Sequence, residues 1–182
     1  MAAALDLLES GNAQGVRMAD IAKKTGISRQ AVYLHFKTRA DLLIATTRYL
    51  DDIQDVEAGL VPSRTAKTGK DRLNAWIDAW GNYIPVMYGV GRALLAMRDT
   101  DDAAAAAWDE RMAAMRHGCE AAILALKRDG DLSPTYTVDD AVDLLWTLVS
   151  VRNWELLTQE CGWSQEKYIE MLKAATKDLF VA

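Results

Sequence analysis

The stretch from Arg17 to Leu43, RMADIAKKTGISRQAVYLHFKTRADLL, leaves a chain few ways to fold. A short apolar-periodic segment lies on each side of Thr25-Gly26-Ile27, a spacing that suits two short helices and a tight turn. Ala22 is small enough for a second helix to cross close over it. Gly26 can take the positive φ that ends one helix sharply, and Ser28 can cap the next by accepting its free N–H groups. Ile21, Ile27 and Val32 are then expected to point inward together. Arg29, Gln30, Tyr33 and His35 are left on the outer face of the second helix, and their side chains can bond phosphates or base edges. This is the arrangement by which a helix-turn-helix reads DNA.

Thr25, Ser28, Lys37 and Arg39 fall at helix ends, where phosphates approach, and read as backbone anchors. Lys23 and Lys24 are evenly placed between backbone contact and plain solvation. The charge distribution agrees with such a face. Net charge is −5, yet residues 1–50 hold seven Lys/Arg against four acids, giving +3, while the remainder holds 14 against 22, giving −8. A basic head on an acidic body focuses nucleic-acid binding onto one face.

The segments Ala19-Asp20-Ile21-Ala22, Thr25-Gly26-Ile27-Ser28, Val32-Tyr33-Leu34-His35-Phe36, Lys37-Thr38-Arg39 and Asp41-Leu42-Leu43 resemble the DNA-binding domain of the tetracycline-repressor (TetR-like) family of bacterial transcriptional regulators. The resemblance covers about a quarter of the chain. Arg17 stands where the family usually has a capping Ser or Thr, and Arg39 where it usually has Lys, which keeps a phosphate-binding cation. The resemblance implies an all-α homodimer of about nine helices. A three-helix helix-turn-helix DNA-binding domain would span 1–45 and a helical ligand-binding and dimerisation domain 46–182. It further implies a ligand-responsive regulator, a repressor that holds a pseudo-palindromic operator and is released by a small, apolar or aromatic effector. An alternative reading of another class is a ligand-binding or interaction protein whose helix-turn-helix is vestigial.

The remaining sequence reads as consecutive helices. Residues 1–10 form one that ends near Gly11, with Leu5 and Leu8 toward the head core and no basic arm before it. Thr38-Arg39-Ala40-Asp41 is a capping box that starts a helix running uninterrupted to about Ala58, with Leu42, Thr46, Tyr49, Ile53 and Val56 on one stripe. Gly59 to Gly69, with Pro62, reads as a linker. The next helix carries Leu73, Trp76, Trp80, Tyr83 and Met87 on one face, kinks at Pro85 and is broken by Gly89 and Gly91. A short helix holds Leu94, Leu95 and Met97. Asp99-Thr100-Asp101-Asp102 starts a long one that runs to about Arg128 and shows Trp108, Met112, Met115, Cys119, Ala122 and Leu126 on one face. After a loop at 130–136, residues 138–158 are apolar over most of the circumference, which means burial on two sides. Residues 165–180 close the chain, with Ile169, Leu172, Ala175 or Thr176, and Leu179 inward.

All six Trp lie at or beyond position 76. Trp76, Trp80, Tyr83, Met87, Trp108, Met112, Met115 and Trp146 are expected to be mostly core, with three or four of them lining the ligand pocket that the resemblance implies. The dimer interface implied for the last two helices would use Leu145, Leu148, Val149, Arg152, Leu156, Tyr168, Leu172, Ala175 and Leu179. His117, Cys119 and Glu120 do not share a helix face, so no metal site is expected, and Cys119 reads as core. No nucleophile, base and orienting group come together and no cofactor motif is present, so an enzyme is not expected. Two distant cysteines, no signal peptide and no apolar run long enough for a membrane span point to a reduced, cytoplasmic protein.

Overall fold

The computed structural model describes residues 1–9 and 17–182. The expected end of the first helix near Gly11 lies outside the described residues. Within them the chain is all-α, and its one β-bridge joins Leu132 to Val181. In order the helices are α1 (Ala2–Glu9), α2 (Met18–Thr25), α3 (Arg29–His35), α4 (Arg39–Ile53), α5 (Val56–Thr65), α6 (Gly69–Leu95), α7 (Asp102–Asp129), α8 (Val138–Leu148), α9 (Val151–Glu155) and α10 (Gln165–Phe180). A π-helical turn, Leu156–Glu160, continues α9. Two compact units result: Met1–Asp55 with Val86–Arg111, and Val56–Pro85 with Met112–Ala182.

The first unit buries Leu5 and Leu8 of α1, Met18, Ile21 and Ala22 of α2, Val32 of α3, and Leu42, Leu43, Thr46, Thr47 and Leu50 of α4. The helix expected to run to Ala58 stops at Ile53, which is 50% exposed, and Asp55 turns the backbone at φ 45°. Asp51, Asp52 and Asp55 crowd this C-terminus, where the helix dipole disfavours negative charge. The glycines expected to break the next helix do not. Gly89 and Gly91 lie inside α6, and a β-carbon on Gly89 would sit 3.1 Å from the Leu8 carbonyl oxygen. The missing side chain therefore serves close approach of α1 and not helix termination.

In the second unit Leu73, Trp76, Ile77, Trp80, Tyr83 and Ile84 of α6 are buried, as are Met115, Cys119, Ala122, Ile123 and Leu126 of α7. A β-carbon at Gly69 would meet the backbone of Leu126 at 2.5 Å, and the Gly69 N–H donates to Asp129 Oδ2 at 2.6 Å. The segment expected as a linker is helical through α5. Its Ser63 hydroxyl, buried, donates to the Arg72 carbonyl at 3.3 Å, and Glu57 pairs with Arg64 across two turns. Those contacts hold the turn around Pro62 that composition alone assigns to a loop.

The expected continuous helix over 138–158 is also broken. Ser150 leaves the helical region and caps α9 by accepting the Asn153 N–H at 3.2 Å. The carbonyls that α8 leaves open are taken up by side chains. Asn153 Nδ2 donates to the Thr147 oxygen at 2.6 Å, and Trp80 Nε1 donates to the Val149 oxygen at 2.7 Å. In α10 the inward choice falls on Thr176, fully buried, while Ala175 is exposed. Among the described residues no helix is long and apolar enough to cross a membrane.

Candidate nucleic-acid interface

The turn between α2 and α3 is built as its residue types require. Gly26 takes φ 71°, ψ 17°, and the Ile27 N–H reaches back to the Ala22 carbonyl at 3.1 Å, which closes α2. Ser28 Oγ accepts the Ala31 N–H at 3.1 Å and starts α3 while keeping its hydroxyl hydrogen for a second partner. At the other end of α2 the Arg17 guanidinium has no acceptor to offer. The Asp20 carboxylate supplies the reciprocal contact by accepting the Arg17 N–H at 3.3 Å. Thr38 and Asp41 complete a capping box at α4, with bonds of 2.9 and 3.0 Å.

Val32, 2% exposed, is the side chain by which α3 is anchored. Arg29, Gln30, Tyr33, His35 and Lys37 are exposed on the same short segment, together with Ser28. Arg39 is half-buried, and its Nε is buried without a hydrogen-bond partner among the described residues. Thr25 differs from its expected role. Its hydroxyl donates to the Ile21 carbonyl at 2.7 Å, so the hydrogen that would meet a phosphate is already engaged. Lys24 pairs with Asp6 of α1 at 2.9 Å, whereas Lys23 is exposed.

Two apolar residues stand where the sequence reading did not put them. Ile27 was expected inward and is 45% exposed, because the chain is already leaving α2 at that point. Leu34 is 80% exposed, and nothing in its residue type flagged it. The available signal was positional: it follows the buried Val32 by two residues and Gln30 by four.

The eight aromatic and methionine candidates do not fall in one compact unit. Met87 and Trp108 belong to the first, the other six to the second. Trp76 stacks on Trp80 with ring centroids 6.3 Å apart, and Trp80 tilts against Tyr83 at 6.0 Å. Trp76, Trp80, Tyr83, Met87 and Met115 are buried, while Trp108, Met112 and Trp146 are half-buried. The indole nitrogen of Trp146 is buried without a hydrogen-bond partner among the described residues. Cys119 is fully buried, and burial pushes its thiol up to about 12, with the Trp76 indole acting in the opposite direction. A separate cleft of about 640 Å³ is lined by Lys127, Leu132, Pro134, Tyr136 and Val138 and includes none of the eight.

The residues assigned to the dimer interface divide. Leu145, Val149, Tyr168 and Leu172 are buried within their own chain, so they are not presented to a partner. Arg152 and Ala175 are exposed, and Leu148, Leu156 and Leu179 are half-buried. Helix periodicity gave an apolar stripe without saying which edge the rest of the unit would cover. The large apolar residues left exposed on α8 and α10 are Leu144 and Met171, at 40% and 48%.

An all-helical chain with a capped helix-turn-helix and a polar outer face on the second helix is of the DNA-binding regulator class. Residues 1–46 match the model of bacterial regulatory proteins of the tetR family. Residues 1–46 thus form an N-terminal domain of the tetR type. Solved structures share the fold over the whole chain. A transcriptional regulator from Saccharomonospora viridis in complex with choline is 16% identical with a TM-score of 0.82, covering 100% of this chain and 95% of that one. A TetR-family regulator from a Rhodococcus species is 22% identical with a TM-score of 0.68, over 98% and 94%. The fatty acid degradation regulator FadR from Bacillus halodurans is 14% identical with a TM-score of 0.72, over 96% and 91%. Identities this low carry the fold and nothing further. No curated protein matches the sequence.

Proposed function

We propose that the chain is a ligand-responsive repressor that binds a pseudo-palindromic operator as a homodimer in the cytoplasm and releases it on binding a small effector. The observation that carries this reading is the face of α3. Arg29, Gln30, Tyr33 and His35 all lie exposed around an anchored Val32, with Ser28 and Lys37 at the two ends for phosphates. One helix of this length touches only a few base pairs, so a specific site needs two such helices joined by a two-fold axis, with half-sites roughly 34 Å apart.

The surface offered to the second copy lies along α8 and α10. Leu144, Thr147, Met171 and Ala175 are exposed on these helices, and a groove of about 380 Å³ runs beside Tyr136, Asp140 and Leu144. The effector would be small and apolar or aromatic, taken up among the Trp and Met side chains of the second unit. The buried, unpartnered indole nitrogen of Trp146 offers it a hydrogen-bond donor. Because the regulator in complex with choline shares the fold, choline is a reasonable first compound to test.

The deciding experiment is titration of the purified protein against duplex DNA from its own promoter region at several salt concentrations. Affinity should fall linearly on a log–log plot with salt, and Lys37→Ala should reduce the slope by about two, one for each half-site. A Gln30→Ala, Tyr33→Ala double variant that binds as well as the parent would favour the vestigial reading. Native mass spectrometry of the purified protein would identify any small molecule carried along.

A further inference from the structure

We infer that the outer ridge of α3 reads A·T pairs, with Leu34 seated on the 5-methyl group of a thymine and Gln30 on an adenine. This rests on the DNA-binding reading above and goes beyond it to the base composition of the half-site.

The anchor of α3 is Val32, 2% exposed. At roughly 100° per residue the positions farthest from it are Gln30 and Leu34, each about 160° away. They are four residues apart and therefore stacked on one ridge, with Tyr33 and Arg29 to one side. Among the large apolar residues exposed in the described structure Leu34 is the most exposed, at 80%, beside Tyr33 at 44% and Ile27 at 45%. Three large apolar side chains left exposed within residues 27–34 do not suit a merely solvated segment. The helix, seven residues or roughly 10 Å long, is shorter than the width of the B-DNA major groove, about 12 Å, so the ridge enters the groove along its whole length.

Leucine has neither donor nor acceptor, and the one apolar group on any base edge in that groove is the thymine methyl. Gln30 completes the pattern, since its carboxamide matches the adenine N6 and N7 pair. Side chains four apart on a helix sit roughly 6 Å from each other, and successive bases rise 3.4 Å. The adenine and thymine contacts thus fall one or two base steps apart. Duplex DNA is the occupant that fits the charge, because the ridge is set in the basic head between Arg29 and Lys37 while the rest of the chain is acidic.

The test begins with duplexes selected by the full-length protein from a random-sequence pool. Adjacent or near-adjacent A·T pairs should be enriched in both half-sites. The selected duplex is then resynthesised with deoxyuridine in place of thymidine, which removes the methyl groups and leaves every hydrogen-bonding group. One methyl is worth roughly fourfold in affinity, so wild-type binding should fall about fifteenfold over two half-sites. Leu34→Ala should bind the thymine duplex about as weakly as the wild type binds the uracil one and should be indifferent to the exchange. Gln30→Ala should lose the adenine preference. Leu34 is exposed, so an unchanged circular dichroism spectrum and melting curve should accompany its substitution. Equal wild-type affinity for the two duplexes, or a Leu34→Ala protein that still discriminates, would overturn the inference and leave operator binding standing. If no sequence is enriched at all, the DNA-binding reading goes with it.

Discussion

Arg111 of α7 closes a two-point ion pair on Asp51 of α4, with Nη1 to Oδ1 at 3.0 Å and Nη2 to Oδ2 at 2.5 Å. The side chains are 19% and 30% exposed, which separates this pair from exposed ones such as Arg64–Glu57. Asp51 sits in the last turn of α4, where its charge opposes the helix dipole, and the guanidinium neutralises it there. Exposed pairs contribute about 1 kcal/mol or less, whereas removal of one partner of a fully buried pair costs about 3–5 kcal/mol. Arg111→Ala should lie between, at about 1–2 kcal/mol measured by urea unfolding. Arg111→Lys should recover less than half of that, because it keeps the charge and loses the fork. An Arg111→Ala protein as stable as the parent would place this pair among the exposed ones.

A β-carbon at Gly118 would lie 2.3 Å from the Trp76 ring. Gly118→Ala gains helix propensity, yet the ring is buried and stacked on Trp80, so it has little room to give. The substitution should destabilise by about 1–3 kcal/mol. In a double-mutant cycle with Trp76→Phe, a coupling of at least about 0.5 kcal/mol is expected, since the smaller ring relieves the clash. Additive effects would show that the strain is relieved elsewhere.

The two thiols should separate by accessibility. Cys161 is exposed, while Cys119 is fully buried with its thiol pushed up to about 12, and it is therefore protonated near neutral pH. A colorimetric disulfide reagent should find one equivalent per native chain and two in urea. Loss of that single equivalent in Cys161→Ser would confirm the assignment, and a second reactive thiol in the folded state would contradict it.

Asp129 gives a pH dependence of known sign. The Arg128 side chain, and after it the Gly69 N–H, hold the carboxyl below the ordinary carboxylate range. A depressed folded-state pKa contributes stability above the unfolded value, about 3.9, and that contribution is lost as pH falls through the folded value. Wild type should exceed Asp129→Asn in urea midpoint by a constant margin above about pH 5, and the margin should shrink as pH falls below the unfolded value. A margin that grows with acid would reverse the assignment.

What the sequence determined by itself is local. Gly26, Ser28, Thr38 and Asp41 act on backbone groups within four residues, so the helix-turn-helix and the start of α4 could be read from spacing and residue type. The family resemblance stood on that same stretch. The aromatic stripe of α6 was legible for a related reason, since a 3.6-residue period marks an inward face whatever lies beneath it.

Only the tertiary structure decided where long-range contacts override local preference. Composition assigned Gly59–Gly69 to a linker, but Ser63 meets the Arg72 carbonyl and the segment is helical. Gly89 looks like a helix breaker until α1 is seen crossing it. The 138–158 segment divides because Trp80 and Asn153 supply donors to the carbonyls a break leaves open, and periodicity cannot see them. The same limit applied at the candidate site. A helical wheel separates inside from outside, but only the packed head shows that Val32 is the single buried anchor of α3, that Ile27 has turned outward, and that Leu34 is the most exposed of the large apolar residues described.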